Sequence, residues 1–253
     1  MRNDNYRLGL VSISFREHTP EDVLQAAARA GLGCVEWGSD VHAPCRDQER
    51  LSKLAELQNK YGIRCSSYGT YFRLGETPIG ELIDYIHAAK LLGTNVLRLW
   101  CGGKSGRDMA EEERDALLSV CRQAAEIAEA NDVLLCMECH KDTFTECPSD
   151  AIRLMESVAS RHFRMYWQPF QWQDEKQNLQ NARAVAPYAE HIHVFHWKGT
   201  KRLPLADGVA EWQSYLREFS VPRTLLLEFM PDGQIGSLEE EARALKTMIG
   251  ETV

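Results

Sequence analysis

The chain has no apolar run of about 18 residues, so no membrane-spanning helix is expected. Basic charge is scarce: 29 Lys and Arg stand against 37 Asp and Glu, a net of −8, which argues against a nucleic-acid partner because that needs a basic face. No CxxC pair occurs. The eight cysteines, at 34, 45, 65, 101, 121, 136, 139 and 147, are scattered, and several lie in apolar runs where a thiol behaves as a small hydrophobe. They read as reduced thiols. Met1–Arg7 lacks the apolar core of a signal peptide, so a cytoplasmic protein is the expectation. Ser14–Thr19, the turn after the first strand-like run, contains no glycine, unlike the phosphate-binding turn of an open doubly wound sheet. Gly102–Gly106 is glycine-rich but lacks the P-loop spacing.

What is present is a regular alternation. Strand-like runs begin near Leu8, Cys34, Ile63, Asn95, Val133, Phe163, Ile192 and Thr224, with amphipathic stretches between them. Each repeat has the size of a strand plus a crossover helix. Thr19-Pro20 and Thr77-Pro78 read as helix starts, Ser237–Glu240 has capping-box spacing, and Gly31, Gly62 and Gly93 read as helix stops. Val23, Leu24, Ala27 and Ala28 form an apolar stripe on the first helix. Strict β-α alternation means a parallel sheet, and eight units in 253 residues suit a single-domain (β/α)8 TIM barrel over residues 1–253.

Sites in such barrels form at the C-terminal ends of the strands. Two runs end in a carboxylate: Val133–Glu138 and Thr224–Glu228. A buried carboxylate needs a metal, a cation or a proton. His196 ends the run between them, and two carboxylates with an imidazole suit Mn, Mg, Co or Zn. Cys139 should face away from Glu138, because alternate strand residues point to opposite faces. Other strand ends supply Glu36, Arg98, Trp100, His140, Trp167, Gln168, Gln171 and Lys198. This mixture of aromatic and polar groups suits a sugar or polyol. Arg98 would be buried and needs an anionic partner, either Glu36 or Glu138. The tryptophans offer a sugar platform or, alternatively, a homo-oligomer interface.

The ends Met137–His140 and His196–Lys198, the segment Leu205–Trp212 and Glu228 together resemble the xylose isomerase-like TIM barrels: sugar isomerases and epimerases, inosose dehydratase-like enzymes and endonuclease IV. The resemblance covers nearly the whole chain. It implies a divalent ion held by residues of strands five to eight, here Glu138, Gln168, His196 and Glu228. It also implies Glu138 and Glu228 as the catalytic acid/base pair on opposite faces of a ketose or keto-polyol. Gln168 and Gln171 stand where the family has Asp and His, and Gly199 replaces the last Asp of its strand-seven motif. Three readings follow: a metal-assisted isomerase or epimerase, metal-free proton transfer, or a non-catalytic sugar-binding barrel. A dehydratase shares the first half of the chemistry. His140, Gln171, Lys198, Trp100, Trp167, Arg98 and Glu36 are the expected substrate contacts. The absence of a phosphate cradle points to a non-phosphorylated substrate, and the net charge disfavours a nuclease.

Overall fold

The computed structural model describes residues 6–250 of the chain; residues 1–5, part of the segment read for a leader, lie outside them. Eight parallel strands close into a barrel: β1 (Arg7–Val11), β2 (Cys34–Gly38), β3 (Arg64–Leu74), β4 (Val96–Cys101), β5 (Leu134–Glu138), β6 (Phe163–Trp167), β7 (Ala189–Val194) and β10 (Thr224–Leu227). Helices α1 (Pro20–Arg29), α2 (Gln48–Tyr61), α3 (Leu82–Leu91), α4 (Glu111–Asn131), α5 (Pro148–Val158), α6 (Glu175–Val185), α7 (Val209–Leu216) and α8 (Leu238–Met248) surround it. The expected TIM barrel is the observed fold.

Local chemistry explains the element boundaries. The Thr19 side chain accepts the Asp22 N–H while Asp22 answers the Thr19 N–H, and Pro20 starts α1. Gly62 closes α2 with φ near 65°. On α1 the buried set is Val23, Leu24, Ala26 and Ala27, so Ala28 falls on the outer face, one position off the expected stripe. Two expected caps act differently. The Thr77 hydroxyl accepts the Arg73 N–H, and the Ser237 hydroxyl donates to Asp232 instead of capping α8.

Strand alternation splits the core in two. Val35, Trp37, Leu97, Leu99, Leu135, Met137, Ile192 and Val194 face the helices in the large outer core. Val11, Cys34, Val96, Cys136, Tyr166 and Leu226 belong to a small cluster inside the barrel. The next inward residues toward the C-terminal mouth are Glu36, Arg98, Glu138, His193 and Glu228, so the apolar filling gives way to charge.

One element was not expected. After β7 the chain leaves the barrel and folds into an antiparallel hairpin, β8 (His196–Lys198) with β9 (Lys201–Leu203). The apolar run at Ile192–Trp197 is therefore two strands, not one.

Parity also corrects the role expected of Trp167. It follows inward-facing Tyr166 and points outward, where it is fully buried against Trp212, Tyr215 and Phe219 at centroid distances of 5.4–5.7 Å. It cannot serve as a sugar platform. Trp167→Ala should lower unfolding free energy in urea by about 3–5 kcal/mol, while Trp167→Phe should cost less than half of that.

Candidate active site

Arg98 organises the mouth of the barrel. Its side chain is 2% exposed and lies between two carboxylates, with Nε 3.4 Å from Glu36 Oε1 and Nη1 3.1 Å from Glu138 Oε2. Nη1 also donates to the Thr70 carbonyl at 3.1 Å. Glu36 accepts the Ser67 hydroxyl at 2.9 Å, and Glu138 accepts the Trp100 indole N–H at 2.6 Å. Gly69 makes room for this pair: a Cβ there would lie 2.5 Å from Glu36 Oε1 and 3.1 Å from Arg98 Nη2.

His193 is the second cation. Its Nε2 lies 3.5 Å from Glu36 Oε2. Its Nδ1 is 3.2 Å from Gln168 Oε1, 3.4 Å from Glu138 Oε1 and 3.6 Å from Glu228 Oε2. Acceptors thus surround both ring nitrogens. Burial alone would lower its pKa, but Glu228 and Glu36, with hydrogen bonds to Glu138 and Glu36, raise it to about 10.

The three carboxylates respond differently. Burial would raise Glu138, yet Arg98 and then His193 outweigh it and hold the group ionised, well below the usual carboxylate range. Burial is likewise outweighed at Glu36, by His193 and Arg98, which bring it to about 2. Glu228 has no such clamp: burial pushes it up to about 7, against the pull of His193 and with added repulsion from Glu138. Of these two acids, Glu138 is therefore held ionised, whereas Glu228 exchanges its proton near neutral pH. Directly after Glu228 the backbone turns left-handed at Phe229, φ near 55°, a strained conformation for a bulky residue, with its N–H held by Ser14 Oγ at 2.9 Å.

A cavity of about 280 Å³ opens over these groups. Arg98, Glu138, Gln168 and Glu228 line its floor, and Tyr71, Trp100, Phe195, Trp197 and Phe229 its walls; Arg16, His140 and Gln171 also reach it. The His140 ring lies against Trp100, with centroids 5.1 Å apart. A larger cavity of about 580 Å³ lies at the opposite mouth, among Arg7, Arg64, Glu190 and His191. It holds none of the paired carboxylates, and the N-terminal face of such barrels serves stability, so the smaller cavity is the candidate site.

Of the residues expected from sequence, Glu138, Glu228, Gln168, Gln171, His140, Trp100 and Arg98 meet at this cavity, with Glu36 directly behind it. His196 does not. It packs over Gly208, where a Cβ would lie 2.5 Å from its Nδ1, and lines a separate cleft with Lys198 and Glu211. Lys198 pairs with Glu211 at 2.7 Å, away from the cavity. The strand-seven imidazole of the site is His193. Its position was readable: it shares the inward parity of His191, whereas position 196 has that of outward-facing Val194.

The divalent ion implied by the resemblance can be tested against these groups. A ligating histidine offers a lone pair, but both nitrogens of His193 face acceptors. Glu138 commits Oε2 to Arg98 and Trp100, and Gln168 is uncharged. Among the described residues no three His, Cys, Asp or Glu side chains are arranged to hold a metal. As arranged, the residues do not fit a divalent ion, and Arg98 and His193 supply the positive charge.

Glu228 links this site to stability. Its folded pKa lies above the unfolded value, so its stabilising effect is complete below about pH 4.5 and is lost as pH rises through about 7. Denaturant unfolding of wild type and Glu228→Gln at pH 5 and pH 8 should show the variant gaining on the wild type at pH 8, by on the order of 2 kcal/mol.

Comparison with known proteins agrees with this architecture. No curated protein matches the sequence. Among solved structures, the probable 3-DHS dehydratase AsbF of Bacillus anthracis superposes with TM-score 0.81 at 17% identity, over 95% of this chain and 98% of that one. D-psicose 3-epimerase of Clostridium cellulolyticum H10, solved with D-tagatose, gives 0.71 at 13% identity over 97% and 100%. A barrel protein of Mycobacterium smegmatis in complex with magnesium gives 0.73 at 13% identity over 98% of each chain. At such low identities these superpositions show a shared fold and nothing more. Residues 24–248 match the family model described as xylose isomerase-like TIM barrel, and the chain belongs to that family.

Proposed function

We propose that the protein is a sugar isomerase or epimerase-like enzyme that moves a proton next to the carbonyl of a ketose or keto-polyol, using its own cations in place of a metal. The observation that carries this reading is the split between Glu138, held as an anion, and Glu228, raised to about 7, across one aromatic-walled cavity.

Gln168 Oε1 accepts the His193 Nδ1–H, which leaves the amide NH2 as the donor available to a substrate carbonyl. Ionised Glu228 removes the proton from the adjacent carbon. The enolate oxygen develops its charge beside the Gln168 N–H, with the Arg98 and His193 charges behind it, in a site that excludes much of the water. Protonated Glu228 then returns the proton to the former carbonyl carbon, as the hydroxyl on the deprotonated carbon passes its own proton to the enolate oxygen and becomes the new carbonyl. Glu138 stays ionised, and its Oε1 orients a substrate hydroxyl. Only Glu228 is matched to proton transfer near neutral pH. That asymmetry favours one carboxylate doing both transfers on one face, as in an isomerase, over the two-base exchange of an epimerase that the resemblance implies. It equally suits a dehydratase, in which the same enolate expels a β-hydroxyl that takes the proton from Glu228 and leaves as water.

Deuterium wash-in from D2O tests the reading before any product is known. With D-tagatose and D-fructose as probes, NMR should show C–H exchange beside the carbonyl, rising with pH through about 7 and unaffected by EDTA dialysis. Glu228→Gln should slow exchange by about 10²–10⁴-fold. Exchange that vanishes with EDTA and returns with a divalent ion would restore the metal reading, and loss of water from the probe would select the dehydratase.

A further inference from the structure

We propose that this cavity takes an uncharged keto-sugar or keto-polyol of monosaccharide size and discriminates against the phosphate ester and the acid form of the same sugar. The proposal rests on the proton-transfer reading above and adds the charge of the substrate to it.

Both arginines at the cavity are already neutralised. Arg98 is divided between Glu36 and Glu138, which neutralise its charge, and its side chain is only 2% exposed. Arg16, at the rim, gives Nε to Asp40 Oδ2 at 2.5 Å, Nη1 to the Ile13 carbonyl at 3.2 Å and Nη2 to the Tyr71 hydroxyl. No lysine is among the lining residues. An incoming anion would instead meet Glu138 and Glu228, and like-charge contacts of this kind are strongly unfavourable.

The usual phosphate positions are also filled. Barrels of this kind bind phosphate with the loops after the last two barrel strands and the start of a short helix. Here the first N–H of the short turn Leu205–Gly208 goes to both oxygens of Glu241, at 3.1 and 3.3 Å. Glu241 comes from α8 and is 6% exposed. In the loop after β10, Asp232 accepts the Gln234 N–H at 2.9 Å and the Ser237 hydroxyl at 2.6 Å. A protein carboxylate therefore already occupies each of these donor sets. The remaining polar groups, Gln168, Gln171 and His140, suit hydroxyls, and the volume lies just under the roughly 300–1,000 Å³ of drug-sized pockets.

Isothermal titration of the full chain at pH 8 with D-tagatose, D-tagatose 6-phosphate and D-tagaturonate tests the idea. The free sugar should bind at least tenfold more tightly than either anion. Asp40→Asn, which releases Arg16, should narrow the gap to tagaturonate at least threefold. A phosphate or acid form that binds as tightly as the free sugar overturns the proposal while leaving the proton-transfer reading intact. An unchanged gap in Asp40→Asn overturns it through Arg16. Failure of all three probes to bind overturns the sugar reading together with the proposal.

Discussion

The charge of Arg98 is almost wholly buried, and the remainder of the site follows from that. An isolated buried guanidinium would be costly by several kcal/mol, so Glu36 and Glu138 flank it. Those carboxylates, together with Glu228, in turn hold His193 as a second cation. Five buried groups then comprise three acids and two cations. One negative charge is in excess, and Glu228 relieves it by holding a proton near neutral pH. Burial is the main cause of its raised pKa, and the opposing charges around it, His193 and Arg98 against Glu138 and Glu36, leave the rise in place.

Backbone features make that balance attainable. Inward parity on β2, β4, β5, β7 and β10 brings five charged side chains into one layer above an apolar plug of Val11, Cys34, Val96, Cys136 and Leu226. Gly69 leaves the space in which Glu36 and Arg98 meet. Strain at Phe229 turns the chain immediately after Glu228, and the Phe229 ring packs on Trp197 of the hairpin. The outer helices and the buried Trp167 cluster support the barrel from behind.

The barrel was legible because β-α alternation and apolar runs are local signals, and all eight barrel strands appear near the expected places. Glu138 and Glu228 were legible as carboxylates that end apolar runs. The partner of Arg98 was half legible: either glutamate sufficed on paper, and both serve in the fold. His196, Lys198 and Trp167 were misplaced for one shared reason. An apolar run shows that a strand exists, but not where it leaves the barrel, and adjacency in sequence concealed parity. Inward parity applied strictly would have chosen His193 over His196 and turned Trp167 outward. The hairpin at 196–203 and the Glu241 contact to Leu205 depend on tertiary packing and leave no periodic trace in the sequence.

The charge balance is tested most directly by carbon-13 NMR titration of the glutamate carboxyls, with Glu228 assigned by its loss in Glu228→Gln. Glu228 should titrate near pH 7 while the Glu36 and Glu138 carboxyls stay ionised down to the acid limit of the fold. A Glu228 carboxyl that titrates in the ordinary range near 4.5 would contradict it.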